Sequence, residues 1–270
     1  MWNAEADSEE RFRKTAIWGS AAIVAAIAIG AFVYFKYYAH PAPPAPAAAP
    51  ASAAQQAAPP AIQHPVPETG SEAKPLPALN DSDAEVRDSL MGLFGQKPME
   101  AFLNPENIVR HVVATIDNLP RNKVAVELRP VKPTPGETVV ASQGEVTTLG
   151  AANYDRYATF MKVVQASDPR TVATVYFRLY PLFQQAYEDL GYPGMYFNDR
   201  LVQVIDNLLQ TPDVKGPIKL VQPKVFYEYA DPSLEKLSAG QKLLLRMGST
   251  NEAILKGKLR ELRAEIVQHK

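Results

Sequence analysis

The sequence predicts a mainly α-helical protein with minor β structure, of the α+β class, carried on one N-terminal transmembrane helix and a Pro/Ala-rich linker. Three observations predict it. An apolar run without a charged residue fills the 21 positions 15–35. A tract rich in Pro and Ala follows it. From about Leu79 onward, apolar residues recur mainly at spacings of three and four, the period of one helix face, while period-two alternation is confined to short stretches.

Residues 1–14 read as a short cytoplasmic tail ending in Arg11, Phe12, Arg13 and Lys14. Residues 15–38 read as the transmembrane helix, because a span of this length crosses a hydrocarbon core of ~30 Å. Trp18 lies near one end, and Tyr34, Tyr37 and Tyr38 near the other, at interfacial positions. Three cations precede the span and Lys36 follows it, so the positive-inside rule expects a cytoplasmic N-terminus and a periplasmic C-terminal domain at the inner membrane. Acidic residues ahead of the basic cluster and the length of the apolar run favour an uncleaved anchor over a signal peptide. Ala22, Ala26 and Gly30 place small residues on one face, which would permit a weak homodimer.

Residues 39–78 read as a disordered Pro/Ala-rich linker. As polyproline II, forty residues would reach about 120 Å. Residues 79–270 have the composition of one globular domain. Helix starts are expected at three capping boxes, Ser82 with Glu85, Ser238 with Gln241 and Ser249 with Glu252. They are also expected at Asn104-Pro105, Asp168-Pro169 and Asp231-Pro232, where proline follows an N-cap. Ile108, Val109, Val112, Val113, Ile116 and Leu119 form a helical seam closed by Pro120, with His111 at its edge as a boundary residue. Short strands are expected at Val124–Leu128, at Val139–Ala141 and Glu145–Leu149 around a turn, and at Val225–Tyr229. In the last helix, Ile254, Leu255, Leu259, Leu262 and Ile266 share a side. Lys256, Lys258, Arg260, Glu261 and Arg263 are expected on a solvated face.

The chain is organised around Phe177–Leu209. Val172, Val175, Tyr176, Leu179, Leu182, Phe183, Ala186, Tyr187 and Leu190 form one helical stripe. Pro181 lies within it and is expected to kink the helix rather than stop it. Gly191 is expected to cap that helix and Asn198 to open the next, whose seam is Leu201, Val204, Ile205 and Leu208. Tyrosine offers large contact area with few rotatable bonds, and arginine a planar donor fork. Tyr180, Gln184, Tyr187, Tyr192, Tyr196, Asn198, Asp199 and Arg200 are therefore the candidate partner-binding residues. Arg178 and Glu188 are structural or binding candidates, with Arg178 expected to pair with Asp199 or Glu188.

There is no Cys among 270 residues, which excludes disulfides, a thiolate nucleophile and cysteine-ligated metal. A formal charge of −1 gives no basic field for nucleic acid. His40, His64, His111 and His269 include no pair at metal-ligand spacing, and no phosphate loop or nucleophile elbow occurs. No catalytic residue, metal or cofactor is assigned. The expectation is a membrane-tethered binding or scaffolding module of the bacterial cell envelope with an envelope protein as partner. The alternative is a cell-envelope hydrolase whose acid and base, Glu188 or Asp199 among them, are brought together by the fold.

The segments DNLPR (117–121), NYDRY (153–157), YPLFQQAYEDLGYP (180–193), YFNDRL (196–201), YEYADPSLEKLSAGQKLLLRMG (227–248) and KLRELR (258–263) resemble the domain of unknown function 3014 family. The resemblance covers most of residues 79–270 and fits 131–150 least. It implies a membrane-anchored bacterial envelope protein with a Pro/Ala-rich linker, and transfers no catalytic residue. In layout alone the chain is similar to TonB-type energy-coupling proteins, and layout does not fix function.

Overall fold

The structure, a computed structural model, describes residues 61–67 and 75–267, and all of them belong to one compact unit. The expected tail and transmembrane span lie outside the described residues. Among those described, no helix is long and apolar enough to cross a membrane.

Helices dominate. A 3-10 turn, Leu79–Asp81, leads into α1 (Asp83–Phe94) and α2 (Gln96–Phe102). The seam ending at Pro120 forms α3 (Ile108–Asn118), with Ile108, Val109 and Val113 fully buried. After a hairpin come α4 (Ala152–Asp155), α5 (Ala158–Ala166) and the long α6 (Pro169–Asp189). Then follow α7 (Phe197–Leu209), α8 (Pro232–Glu235), α9 (Ala239–Met247) and α10 (Ser249–Val267). Pro181 lies inside α6, which continues through it. Gly191, at a φ of 111°, donates its N–H to Glu188 O and ends the helix.

Helix α6 packs against both α3 and α10. Its main core joins Leu179, Leu182, Phe183 and Ala186 to Val86 of α1, to Ile108, Val109 and Val113 of α3, and to Phe197 of α7. The face α6 buries is wider than the predicted stripe: Ala173 and Phe177 are buried as well, whereas Leu190 is exposed. A second core joins Val202 and Ile205 of α7 to Ile266 of α10.

The β structure is a four-stranded antiparallel sheet in the order β1 (Val140–Gln143), β2 (Val146–Leu149), β3 (Lys219–Val221), β4 (Glu228–Tyr229). The expected hairpin forms, with Gln143 opposite Val146 and Gly144 at a φ of 60° in the turn. Leu149, Leu220 and Tyr229 pack on Leu245 of α9. The alternation at 124–128 does not become a strand: Val126–Leu128 is a 3-10 turn. The last expected strand shrinks to Glu228–Tyr229, because Val225 and Phe226 are exposed and meet no partner strand.

The helix starts divide the same way. Asp168, Asp231 and the Ser238–Gln241 capping box accept N–H groups as expected. Ser82 instead donates to Leu79 O. The α3 start passes from Asn104 to Asp83, whose carboxylate accepts from Asn107 N and Ile108 N at 2.7 and 2.8 Å. A distant carboxylate does the work of a local cap, satisfying N–H groups that the helix cannot. Asn104 is occupied elsewhere, donating to Arg129 O. His111 is half-buried at the edge of its helix.

The basic run of α10 is not wholly solvated. Lys256 is buried with Glu252, their charged atoms 2.6 Å apart. It also reaches Thr211 O at 2.6 Å and the exposed Asp213 at 2.8 Å. Glu252 thus pairs across one helical turn instead of completing a capping box. Burial alone would lower the Lys256 pKa, but Asp213 and Glu252 outweigh it and the net shift is upward. On the alkaline side the lysine's contribution therefore persists through neutral pH and is lost as pH rises through that elevated value. Removing one partner of a buried pair strands the other charge. Lys256→Met should cost about 3 kcal/mol in chemical denaturation, and adding Glu252→Leu should recover a large part of that loss.

Candidate functional site

The site grows from the turn between α6 and α7 and the turn after α3. Helix α7 begins at Phe197, one residue before the expected cap. Its cap residue, Tyr196, makes no side-chain capping bond, and the exposed N–H groups are taken by α6. Gln184 Oε1 accepts from Phe197 N at 2.9 Å and Tyr180 Oη from Asn198 N at 3.4 Å. The same Gln184 oxygen accepts the Tyr180 hydroxyl at 2.8 Å. Its amide nitrogen donates to Glu188 Oε1 and Met195 O, both at 2.8 Å. One amide thus ties the end of α6 to the start of α7. Asn198 is not the cap: it lies within the first turn, fully buried, its oxygen accepting from Tyr176 Oη at 2.9 Å.

Three of the predicted residues, Tyr180, Tyr187 and Asn198, are buried, so their side chains build the site from beneath. Tyr187 stacks on Tyr192 with centroids 4.6 Å apart, and Tyr180 lies against Tyr196 at 5.4 Å. Burial raises the Tyr180 and Tyr187 hydroxyl pKa values, with the neighbouring Tyr196 adding to the first. Both therefore stay protonated near neutral pH. Arg178 does not meet Asp199 or Glu188 as expected. It pairs with Glu85 of α1, because its place on α6 faces that helix.

Sequence reasoning assigned no role in the site to Asp117 and Arg121. Asp117, at the end of α3, has a side chain only 3% exposed. Arg200 donates to its Oδ1 at 2.9 Å and to its main-chain oxygen at 2.8 Å. Arg121 donates to Oδ2 at 2.6 Å and to Tyr192 Oη at 2.8 Å, while that hydroxyl donates to Asp117 Oδ2 at 3.2 Å. The signal available was the DNLPR segment itself, which sets Asp and Arg four apart across a helix end. The Arg121 turn is pinned from behind by α9: Ala239 N donates to Arg121 O at 2.7 Å, and Gly240 N to Leu119 O at 2.9 Å. A Cβ on Gly240 would sit 2.5 Å from Leu208 Cδ2 and 3.3 Å from Leu119 O, so a larger residue would have to displace the Leu208 side chain to keep this approach.

These groups border an open groove of about 700 Å3 along α7, lined by Asp117, Tyr187, Tyr192, Met195, Arg200 and Gln203 among others. Its other edge is the chain itself. Residues 61–67, expected within the linker, lie on the start of α7 and bond to Tyr196, Asn198 and Asp199. The adjacent Glu188 and Asp189 face different partners, Gln184 and Arg110. Among the described residues, no three His, Asp or Glu side chains are grouped to hold a metal ion.

Gln184→Ala leaves the Tyr180 hydroxyl and the Phe197 N–H without their acceptor and should cost about 2 kcal/mol of stability. Gln185→Ala, at the exposed neighbouring position, should change it by less than about 0.5 kcal/mol. Urea titration of the two variants reads the difference.

A family model described as a protein of unknown function, DUF3014, matches residues 108–263. No curated protein and no solved structure matches the chain. The matched stretch holds Asp117, Arg121 and the whole α6–α7 turn, whereas residues 61–67 precede it. It spans more than half of the 270 residues, and on that match the chain belongs to the DUF3014 family.

Proposed function

We propose that this protein is a membrane-tethered binding or scaffolding module of the bacterial cell envelope. On this reading residues 15–38 cross the inner membrane once, the N-terminus is cytoplasmic, and the domain works in the periplasm. The anchor and orientation rest on the uncharged run at 15–35 and the cations before it. The groove along α7 carries the binding role. It sets the stacked Tyr187–Tyr192 pair and Met195 beside the Arg200 guanidinium and the Gln203 amide. An aromatic wall with a few fixed polar groups is how proteins build recognition surfaces.

The engagement of the carboxylates favours recognition over acid–base chemistry. Asp117 holds two guanidinium groups, Glu188 accepts from Gln184, and Asp199 accepts main-chain N–H groups. Photocrosslinking in intact cells tests the reading. A crosslinker replacing the exposed Gln203 should give a discrete adduct with an envelope protein, and one replacing Lys224, which does not line the groove, should not. Absence of an adduct, or the same adduct from both positions, would overturn the proposal.

A further inference from the structure

The segment Ala61–Pro67 has the sequence AIQHPVP. Proline has no main-chain N–H, so between Gln63 and Pro67 only residues 63, 64 and 66 can donate one. All three donors are taken by the start of α7. Gln63 N donates to Asp199 Oδ2 at 3.0 Å and His64 N to Asp199 Oδ1 at 2.7 Å. Val66 N donates to Tyr196 Oη at 2.8 Å. Asn198 Nδ2 returns a bond to His64 O at 2.9 Å. Of these four main-chain bonds, three account for every N–H the segment offers over this stretch and the fourth engages the His64 carbonyl.

The side chains add selectivity. His64 Nδ1 lies 3.0 Å from Asp199 Oδ1, so the imidazole joins the same carboxylate. Val66 packs against the main core beside Tyr196. Gln63 and Pro65 are exposed. Histidine and the aliphatic residue two positions later face inward, and the prolines hold the backbone in a conformation that loses little entropy on docking.

We propose that Tyr196, Asn198 and Asp199 form a peptide-binding site for segments of the class Xaa-His-Pro-aliphatic-Pro, with the chain's own residues 63–67 as its resident, displaceable ligand. The inference rests on reading the α7 groove as a recognition surface, and it names the chemistry recognised at one edge. It has a mechanical consequence. While the segment is docked, the linker is fastened to the domain at 63–67. Release returns that length to the tether and frees the site for a partner segment of the same chemistry.

The test begins on the full-length, unsubstituted chain. Hydrogen exchange at the amides of residues 63, 64 and 66 should be slowed about tenfold or more relative to the free peptide AIQHPVP. Excess free peptide should abolish that protection once it exceeds the roughly millimolar effective concentration of the tethered copy. A second full-length chain carries Gln63→Gly, His64→Ser, Pro65→Gly, Val66→Ser and Pro67→Gly. It should bind the labelled peptide at least about tenfold more tightly than the unsubstituted chain, and Asp199→Ala added to it should remove about tenfold or more of that binding. Exchange of the three amides at the free-peptide rate would overturn the proposal. So would equal peptide binding by the two chains, or protection that appears only as protein concentration rises, which would assign the segment to a second copy. Loss of these effects while the Gln203 crosslink persists would reject this ligand and leave the groove's binding role standing.

Discussion

The site depends on one buried charge. Asp117 sits at the end of α3 with its side chain almost wholly removed from water. A carboxylate in that position is tolerable only if its oxygens are occupied, since a stranded buried charge costs several kcal/mol. Arg121, Arg200 and the Tyr192 hydroxyl occupy them. Each comes from a different place: the turn after α3, the first turns of α7, and the loop between α6 and α7. Satisfying the charge therefore fixes the relative position of all three, and holds Tyr192 and Arg200 where they line the groove.

A second constraint acts at the same helix end. Every helix leaves its first N–H groups without internal partners. Helix α7 solves this with Gln184 and Tyr180 from α6 in place of a cap of its own. That arrangement releases the polar side chains of its first turn for other partners. Asn198 turns to Tyr176 and His64, and Asp199 turns to the docked segment. The capping solution and the peptide contacts are therefore linked, and changes at Gln184 should be felt at Asp199.

Local signals were legible in the sequence where local chemistry decides the outcome. The α3 seam, the Asp168 and Asp231 caps, the Ser238–Gln241 box and the β1–β2 hairpin are set by near neighbours. The signals misled where a distant group wins. Asp83 caps α3 across 24 residues, Glu85 takes Arg178 across 93, and Lys256 turns inward to the Thr211 carbonyl across 45. The Phe177–Leu209 stretch was recognisable as the centre of the site from its tyrosines and polar residues. Tyr187 already stood in the apolar stripe, but the burial of Tyr180 and Asn198 was not legible, because such a stripe does not report the aromatic and polar residues that flank it. The docked segment left no trace in periodicity, since its main-chain N–H groups bond to side chains 130 or more residues away.

A double-mutant cycle on Asp117 and Arg200 tests the central claim most directly. With the buried carboxylate bonded to that guanidinium, Asp117→Ala and Arg200→Ala should each lower stability by about 3 kcal/mol. The double variant should fall short of their sum by about 2 kcal/mol, because its second change removes a partner already lost. Losses that add to within about 0.5 kcal/mol would show that the two residues act independently and contradict the account.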